Sequence, residues 1–93
     1  MKYAIVPTDQ YKKAIKQVLK RDKSAVGEVE KIVDFLADNK KIPKKHKDHK
    51  LSGNLKDFRE LHIRPDLLLV YHKRENILIL LLINVGSHND LFG

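Results

Sequence analysis

The chain has no cysteine and no tryptophan, and it contains only four glycines, three prolines and one methionine among 93 residues. Without cysteine, neither a disulfide framework nor a thiolate metal site is possible. No run of about 18 apolar residues is present, so no membrane-spanning helix is predicted. Residues 1–7 also lack the apolar region and the cleavage site of a signal peptide. These absences predict a cytoplasmic protein.

The length and the charge of the chain narrow the range of functions further. A chain of 93 residues predicts one domain, spanning residues 1–93, with a single modest hydrophobic core. Nineteen Lys and Arg residues outnumber twelve Asp and Glu residues, which gives a formal net charge of +7. A basic balance of this size favours nucleic acid, an anionic surface or an acidic protein as the partner.

The N-terminal half of the chain shows helical periodicity after a short strand over residues 2–6. Thr8 or Asp9 is expected to cap the first helix, and Ser24 the second. Each helix carries an apolar stripe that should face a core. The stripes consist of Tyr11, Ala14, Ile15, Val18 and Leu19, and of Val26, Val29, Val33 and Leu36 broadened by Ile32 and Phe35. Because the link at residues 21–23 is short, the helices should pack as an antiparallel hairpin.

The C-terminal half of the chain predicts β structure after a basic, irregular loop over residues 39–54. Three strands are expected, over residues 55–63, 67–72 and 77–85. The third run lacks polar–apolar alternation, so it should lie in the centre of the sheet with much of both faces covered. The predicted fold class is α+β, with the order β-α-α-β-β-β and the helix hairpin packed on a small antiparallel sheet.

Four residues of the C-terminal half are candidates for acid–base chemistry: His49, His62, Asp66 and His88. Metal-free cleavage of RNA needs a base for the 2′-hydroxyl, an acid for the leaving 5′-oxygen and positive charge for the phosphate. Histidine suits both proton-transfer roles because its proton exchanges near neutral pH. His62 and Asp66 flank one turn, and Gly86 lets the chain change direction before His88. If the third strand lies beside that hairpin, these groups converge.

Each candidate also has an ordinary structural interpretation. Asp66 could stabilise the turn after Pro65, and Phe92 could cover the open end of the core. The lysines of the first helix and of the loop could be a solvated surface or a basic wall against RNA. His46 and His72 are interpreted as surface or core residues, because a single histidine usually has no catalytic role.

Three segments carry a resemblance to a known family: Asp48–Leu51 (DHKL), Phe58–Asp66 (FRELHIRPD) and Gly86–Phe92 (GSHNDLF). In these segments the chain resembles the bacterial RelE/ParE toxin superfamily, in particular its YafQ-like mRNA interferases, and the resemblance extends over essentially the whole chain. It implies a RelE-like fold with the same element order and the toxin of a type II toxin–antitoxin pair. Such enzymes cut mRNA in the ribosomal A site by attack of the RNA's own 2′-hydroxyl, which leaves a 2′,3′-cyclic phosphate.

The same resemblance implies a role for each residue of the candidate site. His88 would be the general acid, while His49 and Asp66 would share the base and orienting roles. His62 would position the phosphate or a neighbouring catalytic group. Phe92 would hold or stack a base, a contact worth about 1–3 kcal/mol.

The chain departs from the family pattern at two positions. Many relatives carry an arginine two residues before the glycine of the Gly-Ser/Thr-His motif, where this chain has Asn84. An asparagine can donate a hydrogen bond to a phosphate oxygen but cannot neutralise it. The tryptophan that relatives carry after the turn aspartate is Leu67 here. The side chains expected to bind substrate in place of the missing arginine, or beside Asn84, are Arg59, Arg64, Lys47 and Lys50.

The resemblance also implies partners for the chain, and alternatives to it stay open. The expected partners are mRNA on the ribosome and a small acidic antitoxin, in an assembly larger than the free toxin; no cofactor and no membrane are expected. A ParE-like toxin directed at DNA gyrase, or a degenerate module that only binds an antitoxin or RNA, stays an alternative. A metal site is disfavoured because its ligands would lie among lysines, where like charge opposes a dication. Those ligands would be His46, His49, His62, His88 and Asp66.

Overall fold

The computed structural model describes residues 2–93 of the chain. Its helices are α1 (Asp9–Arg21), α2 (Lys23–Ala37) and α3 (His88–Phe92). Its strands are β1 (Ala4–Pro7), β2 (His49–Lys50), β3 (Arg59–Arg64), β4 (Leu67–Arg74) and β5 (Ile79–Gly86). Single 3-10 turns lie at Lys44–His46 and Gly53–Leu55. No helix of residues 2–93 is both long enough and apolar enough to cross a bilayer.

Helix α1 begins at the predicted cap and is fixed to the sheet there. The Thr8 hydroxyl accepts a hydrogen bond from the Tyr11 amide at 3.2 Å and donates one to the Leu82 carbonyl at 2.8 Å. One threonine thus satisfies an otherwise unpaired helical amide and ties α1 to β5. Val18 is buried, as predicted, but the neighbouring Leu19 is 48% exposed. The buried stripe is narrower than predicted. Leu19 directly follows Val18 in the helix, so it projects from a different side and points away from the sheet.

Helix α2 is capped by Asp22 and not by Ser24, which corrects the prediction. The Asp22 carboxylate accepts hydrogen bonds from the Ser24 amide at 3.0 Å and from the Ser24 hydroxyl at 2.6 Å. A carboxylate accepts from two donors at once, so the cap and the start of the helix lie two residues earlier than predicted, with the helix beginning at Lys23. Only Asp22 separates α1 from α2, which confirms the antiparallel hairpin.

The sheet has five strands in the order β1-β5-β4-β3-β2. Strands β2 to β5 pair antiparallel, as predicted, whereas β1 pairs parallel with β5. The fold class α+β is confirmed, but the sheet is mixed. A parallel pair requires a long crossover between its strands, and here the helices and the other strands supply it.

Strand β5 lies between β1 and β4, which confirms its central position. It begins at Ile79 and not at Ile77, because Leu78 has a φ of 54° and turns the chain. Leu80 and Leu82 are buried on the helix side, while Leu81 on the other side is only half-buried. The helix-side face of β5 is therefore covered as predicted, whereas its other face is only partly covered.

Alternation along β3 and β4 separates the two faces of the sheet. Leu61, Leu69 and Tyr71 point towards the helices and form the core with residues of α1 and α2. Glu60 and His62 point to the opposite face, which neither of the two long helices in the described part of the chain covers. We call this surface the open face; it carries His49, Glu60, His62, Leu68, Val70, His72 and Asn84. Helix α3 lies at its end and brings His88 to it.

Candidate active site

The tightest contact of the candidate site joins Asp66 to His88. One oxygen of the Asp66 carboxylate accepts the backbone amide of His88 at 2.9 Å and lies 2.6 Å from the imidazole Nδ1. Asp66 belongs to the β3–β4 turn, and His88 is the first residue of α3. The two-point contact fixes the ring and leaves its Nε2 for a substrate, as in other carboxylate–histidine pairs.

Hydrogen bonds from His88 determine the charge state of Asp66. The bond from the His88 amide, followed by the bond from its ring, lowers the pKa of the Asp66 carboxyl below its usual range. Asp66 is therefore ionised at neutral pH and presents a negative charge to the ring beside it.

Three imidazole rings lie in a row on the open face. The His62 ring lies between the other two, with its centroid 5.6 Å from that of His88 and 6.5 Å from that of His49. The Nδ1 of His62 faces the Pro65 carbonyl at 3.4 Å, which orients the ring at the end of β3. The structure thus brings His49, His62, Asp66 and His88 together on one surface.

His49 occupies the edge strand β2, and its ring is held through Nδ1. Its Nδ1 lies 2.6 Å from the Lys47 carbonyl, and its Nε2 lies 3.6 Å from Oε1 of Glu60. Lys47 has a φ of 50°, a left-handed turn that directs its carbonyl back towards His49. The ring is still half exposed and therefore open to a substrate.

Glu60 is a residue of this site that the sequence analysis did not identify. It is only 6% exposed, and its Oε2 has no hydrogen-bond partner among residues 2–93. A buried carboxylate oxygen without a partner costs free energy, so it is an unusual feature of a small core. The sequence did hold a signal, because Glu60 and His62 are two polar residues two positions apart on one strand and so share a face.

Phe92 and Asn84 border the row of rings on the side of α3. Phe92 is 55% exposed, and with Phe58 and Ile83 it lines an apolar hollow that also contacts Asn84. The side-chain oxygen of Asn84 accepts a hydrogen bond from the Val85 amide at 2.9 Å. An exposed aromatic beside the histidines is the surface that a nucleobase needs for stacking.

The cations predicted to bind substrate are distributed over different surfaces. Arg64 is engaged by Asp22 at 2.6 Å and by Glu28 near the start of α2. Arg59 and Lys50 are cross-strand partners on the helix side of the sheet, away from the row of rings. Lys47 lies close to His62 in a shallow groove, which His46 and Arg64 also line. Their roles in substrate binding stay predictions.

The two remaining histidines make structural contacts. The Nδ1 of His46 lies 2.7 Å from the His62 carbonyl and so holds the loop against β3. His72 packs against Phe58 with a centroid distance of 5.9 Å. Among residues 2–93, no group of three or more His, Asp or Glu side chains is arranged to hold a metal ion.

Helix α3 is held in place by a network that predicts a pH dependence of stability. Ser87 and Asp90 form a reciprocal capping box, and Asp90 pairs with Arg21 of α1 at 2.9 Å. These hydrogen bonds, with that from Arg21 the largest, lower the pKa of Asp90 to about 2. The stabilisation is complete above the unfolded-state pKa of about 4 and is lost as the pH falls towards 2.

We therefore expect Asp90→Asn to lower the free energy of unfolding by about 0.5–1 kcal/mol at pH 6, the range for an exposed ion pair with a cap. The difference from the parent should shrink as the pH falls below 4 and vanish near pH 2, as measured by urea unfolding. Glu75→Gln, which removes the same charge from the exposed β4–β5 hairpin, is the control. A pH-independent difference would show that the charge of Asp90 does not stabilise α3.

Comparisons with known proteins cover almost the whole chain. Residues 3–93 match the profile of a family described as "Bacterial toxin of type II toxin-antitoxin system, YafQ". The mRNA interferase toxin YafQ of Escherichia coli K12 is 33% identical over 85 residues, which cover 90% of this chain and 89% of that protein.

Solved structures also match almost the whole chain. The crystal structure of the E. coli DinJ–YafQ complex matches with a TM-score of 0.88 and 29% identity, over 98% of this chain and 99% of that one. The crystal structure of a metal-bound toxin from Helicobacter pylori matches with a TM-score of 0.86 and 39% identity, over 97% of this chain and 99% of that one. The fold of the chain is the fold of these toxins.

Proposed function

Since the chain belongs to the YafQ family of bacterial toxins of type II toxin–antitoxin systems, we propose that it is an mRNA endonuclease that acts on the ribosome. The observation that supports this most is the Asp66–His88 pair at the end of a row of three imidazole rings. The row offers an acid at one end and a base at the other, with the His62 ring between them. The proposed cut lies in the A-site codon.

His88 is the proposed general acid. Its Nδ1 faces the Asp66 carboxylate at 2.6 Å, so the imidazolium is stabilised and Nε2 carries the proton to be transferred. That proton goes to the 5′-oxygen as the bond between phosphorus and this oxygen breaks. A positioned acid of this kind typically contributes about 10²–10⁴-fold to the rate.

His49 is the proposed general base. It takes the proton from the 2′-hydroxyl while the 2′-oxygen bonds to phosphorus, and the product is a 2′,3′-cyclic phosphate. The Nδ1 of His49 faces the Lys47 carbonyl, so Nε2 takes the proton, and the Glu60 carboxyl group 3.6 Å from Nε2 can offset the positive charge that forms. Asp66 is bound to His88, which supports an orienting role for Asp66 and leaves proton removal to His49.

Phosphate binding and base binding complete the proposed site. His62 lies between acid and base, where a protonated ring would offset the charge that develops on the phosphate. The amide of Asn84 supplies a hydrogen bond without charge, and Phe92 stacks on a base of the codon. Every proton transfer is made by a side chain of this chain, so we propose that the reaction needs no metal.

The proposed regulator is a cognate acidic antitoxin. The DinJ–YafQ structure is a toxin–antitoxin complex of a relative that shares the whole fold. A net charge of +7 favours fast association with an acidic chain and makes that association sensitive to salt. Since the proposed substrate is carried by ribosomes, we expect the protein to act in the cytoplasm.

The test is cleavage of a defined mRNA on stalled ribosomes, with 5′ ends mapped by primer extension. We expect one discrete cut in the A-site codon and a 2′,3′-cyclic phosphate at the new end. An mRNA with a 2′-deoxy nucleotide on the 5′ side of the cut should not be cleaved, because the nucleophile is missing. The toxin should keep its activity after transition metals are stripped with phenanthroline, while Mg²⁺ is retained for the ribosome.

Two results would contradict the proposal. Cleavage of the 2′-deoxy mRNA would exclude attack by the 2′-hydroxyl, and loss of activity on stripping, restored by added metal, would exclude the metal-free reaction. No cleavage by folded protein that still arrests growth would instead favour a target other than mRNA, such as the gyrase of the ParE branch.

A further inference from the structure

A second basic surface lies behind the candidate site, on the helix side of the sheet. It is a hollow of about 630 Å³ between the end of α2, the edge strand β2 and the last residues of β4. We call it the rear basic hollow, and its cations are Lys40, Lys41, Lys50, Lys56, Arg59 and Lys73. Its carboxylates are Asp48, Asp57 and Glu75. Cations exceed carboxylates, so the hollow attracts anions.

Arg59 forms the floor of the rear basic hollow and is held in a fixed orientation. Its Nε donates to Asp48 at 3.2 Å, and the same carboxylate oxygen accepts the Tyr71 hydroxyl at 2.7 Å. Tyr71 is 1% exposed, so the network is anchored in the core. A guanidinium held through Nε directs its terminal N–H groups away from its anchor, in the fork geometry that binds phosphate oxygens.

Lys73 forms one wall of the hollow and is held by two contacts. Its ammonium lies 4.9 Å from the centre of the Tyr3 ring and donates to the side chain of Asn39 at 3.0 Å. Burial lowers the pKa of Lys73, so its charge lacks full solvation. An anion in the hollow would supply the counter-charge that water does not.

The edge strand β2 connects the rear basic hollow to the row of rings. His49 and Lys50 are consecutive residues of β2 and point to opposite faces, His49 beside Glu60 and Lys50 beside Arg59. Strand β2 is the edge strand of the sheet that residues 2–93 form, so no further strand of that part of the chain blocks the passage around it. We propose that the rear basic hollow binds a phosphate of the same RNA strand, next to the phosphates held on the open face. This proposal rests on the proposed function, because it requires RNA at His49.

The lining of the hollow favours RNA over an acidic protein segment. Among residues 2–93, its aliphatic lining residues are Leu36 and Ile42, and Leu36 is almost fully buried. A protein partner gains most of its affinity from apolar anchors in pockets, which this surface does not offer. Phosphate binding needs only fixed cations, and the hollow supplies them.

The experiment measures binding of a short single-stranded RNA by fluorescence anisotropy, in a His88→Ala background that leaves the RNA uncut. The test variant is Lys41→Gln with Lys50→Gln, two exposed lysines of the hollow. The control is Lys12→Gln with Lys16→Gln, two exposed lysines of α1. We expect about a 10-fold loss of affinity for the test variant and less than about 2-fold for the control. Loss of the one phosphate contact should also reduce the salt slope by about 0.7.

A methylphosphonate scan locates the phosphate. Each RNA of the scan carries one neutral methylphosphonate. We expect weaker binding when the replaced phosphate is the one beside the scissile phosphate, and the same replacement should have no effect on the affinity of the test variant. Equal losses in test and control variants, or losses that do not depend on the phosphate position, would overturn the proposal. So would a test variant that keeps its RNA affinity and loses affinity for the antitoxin.

The binding assay distinguishes this proposal from the proposed function. It needs no cleavage, so RNA binding through the hollow, combined with a folded parent protein that does not cut mRNA on stalled ribosomes, would overturn the nuclease and leave the hollow as an RNA site. Position-specific cleavage by a test variant with unchanged RNA affinity would leave the nuclease and overturn the hollow.

Discussion

His88→Ala is expected to reduce the rate of cleavage on stalled ribosomes by about 10²–10⁴-fold, the usual contribution of a positioned acid. The alanine removes the ring that the Asp66 carboxylate holds, and with it the proton for the leaving 5′-oxygen. Both side chains are largely exposed, so the variant should fold as the parent does. The loss should fall on the rate at saturating toxin, because the acid acts in the transition state.

Two further variants test whether the lower cleavage rate of His88→Ala comes from loss of the acid or from removal of any histidine on this face. Asp66→Asn keeps the shape of the carboxylate but not its charge, so we expect a smaller loss, again in the saturated rate. His72→Ala removes a histidine of the same face that packs on Phe58, and its saturated rate should stay within about 3-fold of the parent. If His88→Ala cuts as fast as His72→Ala while both remain folded, His88 is not the acid.

The parts of the fold that could be predicted from the sequence are the local ones. The apolar stripe through Val18 and Val29 predicts two helices at 3.6-residue spacing, and both residues are buried as expected. Thr8 caps α1 because its hydroxyl reaches an amide three residues away, which is a short-range event. The parallel pairing of β1 with β5 joins residues more than 70 positions apart, and no local pattern specifies it.

The candidate site shows the same division. His49, His62, Asp66 and His88 are polar residues at turns and strand ends, where the sequence pattern points to chemistry. The ion pairs of Arg64 with Asp22 and Glu28 could not be predicted, because they depend on how the helix hairpin packs on the sheet. Glu60 was missed because an acidic residue inside a strand is read as solvent-facing, whereas the fold buries it beneath His49.

His49→Ala is expected to lower the saturated rate of cleavage by about 10²–10⁴-fold, since it removes the proposed base. Glu60 acts through that ring, so Glu60→Leu should also lower the rate, by a smaller factor of about 10–100. The same substitution should raise the free energy of unfolding by about 1 kcal/mol or more. Leucine removes a buried carboxylate oxygen without a partner and packs beside Val70.

Opposite effects on activity and stability distinguish a positioning role for Glu60 from a structural one. If Glu60 only supported the sheet, its substitution would lower the cleavage rate and the stability together. A residue retained for the reaction instead stabilises the active ring at a cost to the fold, so its substitution lowers the rate and raises the stability. The double variant sharpens the test, because Glu60→Leu should have almost no effect on the rate once His49 is alanine. Full additivity of the two losses would show that Glu60 does not act through His49, and a destabilised Glu60→Leu protein would show that the carboxylate supports the sheet.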